Sequence, residues 1–315
     1  MASSLYAGES KATQRIPSHV SVTDLLLLCM ALLWGVNFIV VKFATGLFAP
    51  LAFNGTRVLV AVVVLWSIVL VRGLPLPSRR DVWGLLALGV LGNGFYQIFF
   101  VEGLARTRAS DAALLVSASP AFIEAIGFVR GLERVGWRGV AGIALSLCGI
   151  GLVVSGASHG SPGDSTLLGN ALILSCCLCW AFYSVLLKPF TERVDGLTLS
   201  AVTMTGGLAP LLLVGAPALL ATRWSAVSLM GWGAVAYSGL LALVVAYLFW
   251  YRGVKVLGPT RAAMYSNLQP VFAMGVAWAV LSEVPRAAQV AGAVCIIGGL
   301  VLTRLPVAQA IVAHE

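Results

Sequence analysis

Two stretches, ASDAALLVSASPAF at 109–122 and PTRAAMYSNLQPVF at 259–272, decide the reading of the fold. At an offset of 150, Ala112 and Ala113 match Ala262 and Ala263, Pro120 matches Pro270, and Phe122 matches Phe272. The correspondence extends outward. Gly103 matches Gly253, Glu133 matches Glu283, Ala141-Gly142 matches Ala291-Gly292, and Gly149 matches Gly299. At an offset of 146, Trp34 matches Trp180 and Lys42 matches Lys188. A four-residue difference in one loop reconciles the two offsets. Matches that keep their order along a whole half are the signature of internal duplication.

The duplicated unit is apolar. Of 315 residues, 59% are hydrophobic and 10% charged, and the mean hydropathy is +0.96. Soluble domains carry about 45–50% apolar and about 25% charged residues. No soluble core of this length uses so much apolar surface, so lipid is the expected solvent. A helix needs about 20 apolar residues to cross the hydrocarbon core. Ten runs meet that demand, near 24–43, 51–71, 83–105, 109–131, 137–156, 167–187, 197–220, 230–252, 260–281 and 286–305. They lack the polar alternation of barrel strands. The expected fold is therefore an all-α integral membrane protein of ten transmembrane helices.

Each half holds five spans, an odd number, so the second half enters the membrane from the opposite side. The expected organisation is an N-terminal segment 1–23, a first five-helix repeat 24–156, a linker 157–166, a second repeat 167–305 and a tail 306–315. Lys and Arg set the orientation. With the N-terminus inside, about 14 basic residues face the cytoplasm against about 5 outside, and Arg57 is left within a span. Both termini are then cytoplasmic. The net charge of +8 reads as topology and attraction to anionic lipid, with no nucleic-acid partner. The polar first 20 or so residues lack the apolar centre of a signal peptide. The cysteines all fall in apolar runs, and Cys176 and Cys179, despite their CxxC spacing, read as small packing residues and not as a metal or redox site.

Trp34-Gly35-Val36-Asn37-Phe38 followed by Lys42 resembles the first-helix signature of the drug/metabolite transporter superfamily, EamA type. Ala109 to Leu115 with Pro120-Ala121-Phe122 resembles its fourth-helix pattern. Thr260-Arg261-Ala262-Ala263 with Pro270-Val271-Phe272-Ala273 and Glu283 repeats it. The resemblance spans about residues 24 to 305. It implies a ten-helix carrier whose cavity is lined by helices 1, 3, 4, 6, 8 and 9, with helices 5 and 10 packed together at the back. It does not fix a substrate.

Polar groups within spans are costly and usually face protein or water. Ser117, Pro120 and Glu124 share a face of the fourth run, and Asn267 and Pro270 occupy the equivalent positions of the ninth. A proline frees a backbone carbonyl and bends the helix, which suits either a cavity wall or a packed kink with local side-chain bonds. Trp34 with Asn37, Trp180 with Tyr183, Asn93 with Tyr96 and Gln97, and Tyr247 complete a set of aromatic walls and polar anchors. These, with Ser117 and Asn267, are the candidate substrate-binding residues. Glu124 is the candidate coupling residue, since a desolvated Glu can exchange protons near neutral pH; the opposing reading pairs it with Arg130. Lys42, Arg57, Glu102 and Asp111 fall toward the outer ends of helices 1 to 4. They are candidate gates in an ion-pair network, or else snorkelling side chains.

These features point to a secondary active transporter of amino acids, related metabolites or drugs, exporting them by alternating access across a bacterial inner membrane. A passive facilitator or channel is the alternative. An intramembrane enzyme is disfavoured, because His19, His159 and His314 lie outside the spans, and the lack of a GxxxxGK[ST] motif argues against ATP-driven transport. The expected partners are a small-molecule substrate, the bilayer and protons as a candidate coupling ion. No cofactor or metal is expected, and the chain is expected to act as a monomer with an oligomer left open.

Overall fold

The structure is a computed structural model. It describes residues 21–129, 137–155, 165–257, 262, 265–266 and 268–304. Six helices are long and apolar enough to cross a membrane: α1 (Val22–Ala44), α2 (Pro50–Val71), α3 (Arg79–Ala105), α6 (Leu167–Thr191), α7 (Gly196–Ala221) and α8 (Leu229–Leu257). Four further positions, two after α3 and two after α8, hold shorter apolar helices. These are α4 (Ala109–Val116, then Ser119–Val129), α5 (Trp137–Ser155), α9 (Gln269–Leu281) and α10 (Ala287–Arg304).

Polar residues start the apolar rods. Ser21 and Asp24 form a capping box on α1, with the Asp24 N–H donating to Ser21 Oγ at 3.2 Å. Ser78, Thr166, Asp195 and Ser228 cap α3, α6, α7 and α8 with side-chain oxygens. The Ser78 cap starts α3 at Arg79, earlier than the apolar run alone implies. Apolar side chains such as Val71, Leu213, Leu220 and Trp278 cover the outer surface, as lipid demands.

The expected single helix at 109–131 is instead broken at Ser117–Ala118. Pro120 cannot donate to the Val116 carbonyl. The Ser119 hydroxyl does so instead at 2.7 Å, and the Ser117 hydroxyl donates to Leu114 O at 2.6 Å. Further irregularities among the described residues are wide π-helical turns at 90–95 in α3 and 237–245 in α8. Such turns are rare and concentrate at functional sites.

The dominant packings join a helix of residues 22–155 to one of residues 167–304. α1 packs on α8 and α9, α2 on α7 and α8, α3 on α6 and α7, α4 on α6 and α9, and α5 on α10. Exchanging α1–α5 for α6–α10 leaves this pattern unchanged. Small residues permit the close approaches. A Cβ at Gly89 would lie 2.0 Å from Thr203 O on α7, and one at Gly239 would lie 2.9 Å from Arg57 O on α2. At the back, a Cβ on Gly299 of α10 would lie 2.4 Å from Gly142 O of α5.

One end of the bundle gathers the ends of α1, α3 and α9 and the starts of α2, α4, α6 and α10. There the Thr107 hydroxyl donates to Asn170 Oδ1 at 2.6 Å and Arg108 Nη2 to Val284 O at 3.0 Å. At the other end Tyr265 donates to Asp24 Oδ1 at 2.5 Å, and Arg193 pairs with Asp81 at 3.1 Å. We call these the Lys42 end and the Asp24 end.

Candidate functional site

A cavity opens where the two halves cross. Trp34 on α1 anchors its wall, donating its indole N–H to Ala242 O in the wide turns of α8 at 2.9 Å. Trp180 meets Trp34 edge-on with ring centroids 6.2 Å apart, and Tyr247 meets Trp34 at 5.5 Å. Tyr96 and Trp250 extend the aromatic surface around Trp180 at 5.5 and 5.9 Å. T-shaped and tilted pairs of this kind are the favoured aromatic geometry.

A polar chain drawn from α1, α2, α3 and α8 reaches the same cavity. Arg57 donates from Nε to Asn54 Oδ1 at 2.8 Å, from Nη1 to Ser238 Oγ at 2.6 Å and from Nη2 to Gln97 Oε1 at 2.7 Å. The Ser238 hydroxyl donates to Asn37 Oδ1 at 2.7 Å, and Asn54 Nδ2 donates to Gln97 O at 2.9 Å. The Arg57 guanidinium lies 5.4 Å from the Phe53 ring and 5.7 Å from the Phe100 ring. The side chain is fully buried, and no carboxylate among the described residues lies within ion-pair distance.

Seven of the candidate binding residues share this cavity: Trp34, Asn37, Tyr96, Gln97, Ser117, Trp180 and Tyr247. Asn93 and Tyr183 do not line it. Asn93 is buried against Gly207 of α7, and its amide has no hydrogen-bond partner among the described residues. Tyr183 sits against Gly92 and shares a hydrogen bond with the Tyr251 hydroxyl at 2.9 Å. Asn267 lies outside the described residues, and so does the side chain of Glu124.

No ion pair joins Lys42, Arg57, Glu102 and Asp111 to one another, and each has other partners among the described residues. Arg57 belongs to the cavity wall, because Asn54, Gln97 and Ser238 hold it there from three helices. Lys42 donates to the carbonyls of Leu104, Ala105 and Thr107 at 3.1, 3.3 and 2.6 Å, a cation on the carbonyl end of α3. Glu102 pairs with Arg106 on its own helix. Asp111 accepts from the Ser165 hydroxyl and from Gln289 Nε2.

A different carboxylate ties the two halves together at the Lys42 end. Ser282, at φ 57°, ends α9 in the left-handed conformation, and Glu283 follows it. Glu283 accepts from the N–H groups of Ala109 and Ser110 at 3.1 Å each and from the Ser110 hydroxyl at 2.7 Å. Arg108 lies 3.8 Å away as its ion-pair partner. A carboxylate at a helix start is favourably placed.

The cavity volume is about 70 Å³. Pockets for organic ligands measure about 300–1,000 Å³, so helices must separate before such a solute fits.

The EamA-like transporter family matches residues 21–155 and again residues 167–305. The chain belongs to this family. It is 28% identical over 280 residues to the uncharacterized transporter YyaM of Bacillus subtilis, covering 88% of this chain and 91% of that one. An uncharacterized transporter of Archaeoglobus fulgidus is 30% identical over 287 residues, with 90% and 97% covered. The uncharacterized inner membrane transporter YedA of Escherichia coli is 28% identical over 256 residues, with 79% of each chain covered. A solved crystal structure shares the fold with a TM-score of 0.63 at 22% identity, covering 90% of this chain and 96% of that one. This EamA-like chain is thus a multi-pass integral membrane protein of a transporter family.

Sequence reasoning missed Arg57 and Gln269 as parts of the cavity, and Asn54 and Ser238 as acceptors that hold Arg57 there. A signal for Arg57 was available. It is the basic residue that the topology leaves within a span, and residues 53–61 contain no acid to pair with it.

Proposed function

We propose that the chain is a secondary active transporter that carries small organic solutes by alternating access. In this reading ten spans form two inverted five-helix repeats, both termini are cytoplasmic and the membrane is a bacterial inner membrane. The observation that carries it is the meeting of Trp34 and Trp180, 146 positions apart in sequence, on one cavity lined by both halves. Inverted repeats place the substrate at their interface, and rocking of one against the other exchanges the open side. The exchange-invariant packing of α1–α5 on α6–α10 supports that geometry. The small, walled cavity favours a carrier over an open channel.

The Glu283 latch gives the rocking a chemical basis. It closes the Lys42 end by joining the start of α4 to the end of α9. Its counterpart 150 positions earlier is Glu133, outside the described residues.

Purified protein in liposomes tests the proposal with amino acids, nucleosides and cationic or anionic aromatic compounds, with and without a pH gradient. Saturable flux that a trans solute accelerates is expected. Linear flux without trans-acceleration would support a channel, and no flux would remove the transport reading. If Glu124 carries the coupling proton, Glu124→Gln abolishes the dependence of flux on the pH gradient. Unchanged pH dependence would remove Glu124 from that role.

A further inference from the structure

We infer that the cavity binds the carboxylate of an aromatic organic anion, with Arg57 as the anchoring residue. This rests on the transporter reading for its purpose, but the site has its own evidence. A buried cation normally has a carboxylate partner, because desolvating it alone is costly. Arg57 is fully buried, and its three acceptors, Asn54, Ser238 and Gln97, are all neutral. Nε, Nη1 and Nη2 each donate once, so one N–H on each terminal nitrogen lacks an acceptor among the described residues. Two N–H donors on one planar fork are what a carboxylate accepts in bidentate fashion.

The remainder of the cavity completes the specification. Arg57 is the charged group among the described lining residues, and no described Asp or Glu joins it there. An organic cation or a free ammonium group therefore meets repulsion from Arg57 and no counter-charge among the described residues. The aromatic wall of Trp34, Trp180 and Tyr247 fits a flat ring. The geometry thus selects a monoanion with a ring over the corresponding amide or amine.

The same fork makes the repeats unequal. The residue 146 positions after Arg57 is Thr203, which is neutral and whose hydroxyl donates to Leu199 O at 2.9 Å. A ligand in the cavity meets charge from α2 and none from the equivalent place on α7.

The test is equilibrium binding to detergent-purified protein with indole-3-acetate, indole-3-acetamide and tryptamine, alongside flux in liposomes. Indole-3-acetate is expected to bind at least about tenfold more tightly than either neighbour, the worth of a charged hydrogen-bonded contact. Arg57→Gln should abolish this preference. Should that variant fail to fold, Gln97→Glu decides the matter. It keeps the side-chain shape and supplies an internal carboxylate at the position 2.7 Å from Nη2. It should weaken indole-3-acetate binding about tenfold or more while the protein stays monodisperse. Equal binding of the three compounds, binding of none, or full binding by Gln97→Glu would each overturn the inference. Carboxylate-selective binding without flux would instead uphold the site and remove the transport reading.

Discussion

Gly89→Ala sharply lowers the thermal midpoint of the detergent-purified protein, whereas Gly275→Ala leaves it unchanged or raises it. At Gly89 a Cβ would meet Thr203 O at 2.0 Å and Thr203 C at 2.8 Å, both backbone atoms of α7. Backbone cannot rotate aside as a side chain can, so α3 and α7 must part. Overpacking costs about 1–3 kcal/mol when side chains absorb it, and here the strain falls on a helix pair. Gly275 has nothing within 4 Å of its would-be Cβ and lies inside α9. Alanine there gains helix propensity, about 1 kcal/mol. Melting in detergent with size-exclusion profiles measures both, and equal midpoints for the two variants would contradict the α3–α7 contact.

The second large effect belongs to Glu283→Ala. Truncation removes the acceptor for the N–H groups of Ala109 and Ser110 and for the Ser110 hydroxyl. It also strips the ion-pair partner from Arg108, whose side chain is 8% exposed against 10% for Glu283. Breaking a buried pair from one side costs roughly 3–5 kcal/mol. That cost applies to the conformation closed at the Lys42 end. At about 1.4 kcal/mol per factor of ten, the balance shifts by about two to three and a half orders of magnitude toward opening there. Flux falls because a carrier held open on one side cannot complete its cycle. Glu283→Gln, which still accepts one bond, should fall between the two. Unchanged flux and unchanged accessibility at the Lys42 end in Glu283→Ala would remove the latch.

The helices could be read in the sequence because their signal is local. An apolar run of the right length, started by a residue such as Ser21 or Ser78, needs no tertiary partner to be recognised. The break in α4 was half visible. Pro120 predicts a freed carbonyl, but the positions of Ser117 and Ser119 decide how the turn is closed. The wide turn of α8 carries little comparable signal, since Tyr237–Val245 is largely apolar, whereas that of α3 is marked only by Gly92-Asn93-Gly94.

The site was legible where duplication pointed to it and obscure where single residues met by tertiary chance. Trp34 and Trp180 are paired by sequence offset, and both line the cavity. Arg57 was placed with the outer charges because it lies near the start of its run. Depth along one helix says nothing about Gln97 and Ser238 arriving from two others. The acceptors of Lys42 were hidden for a related reason. Ion-pair reasoning looks for carboxylates, whereas the carbonyls ending α3 served as its acceptors. Glu283 was noted as a repeat match, but its role depends on α4 and α9 meeting at the Lys42 end.

Alternating access around the shared cavity is tested most directly by thiol labelling of Ser117→Cys, independent of any substrate. Ser117 lines the cavity and is 6% exposed. The six native cysteines would first be replaced, and the protein placed with known orientation in liposomes. A membrane-impermeant maleimide should reach Cys at this position from either side in turn, and adding Glu283→Ala should speed labelling from the Lys42 end. Labelling from one side alone, at a rate indifferent to Glu283, would contradict alternating access.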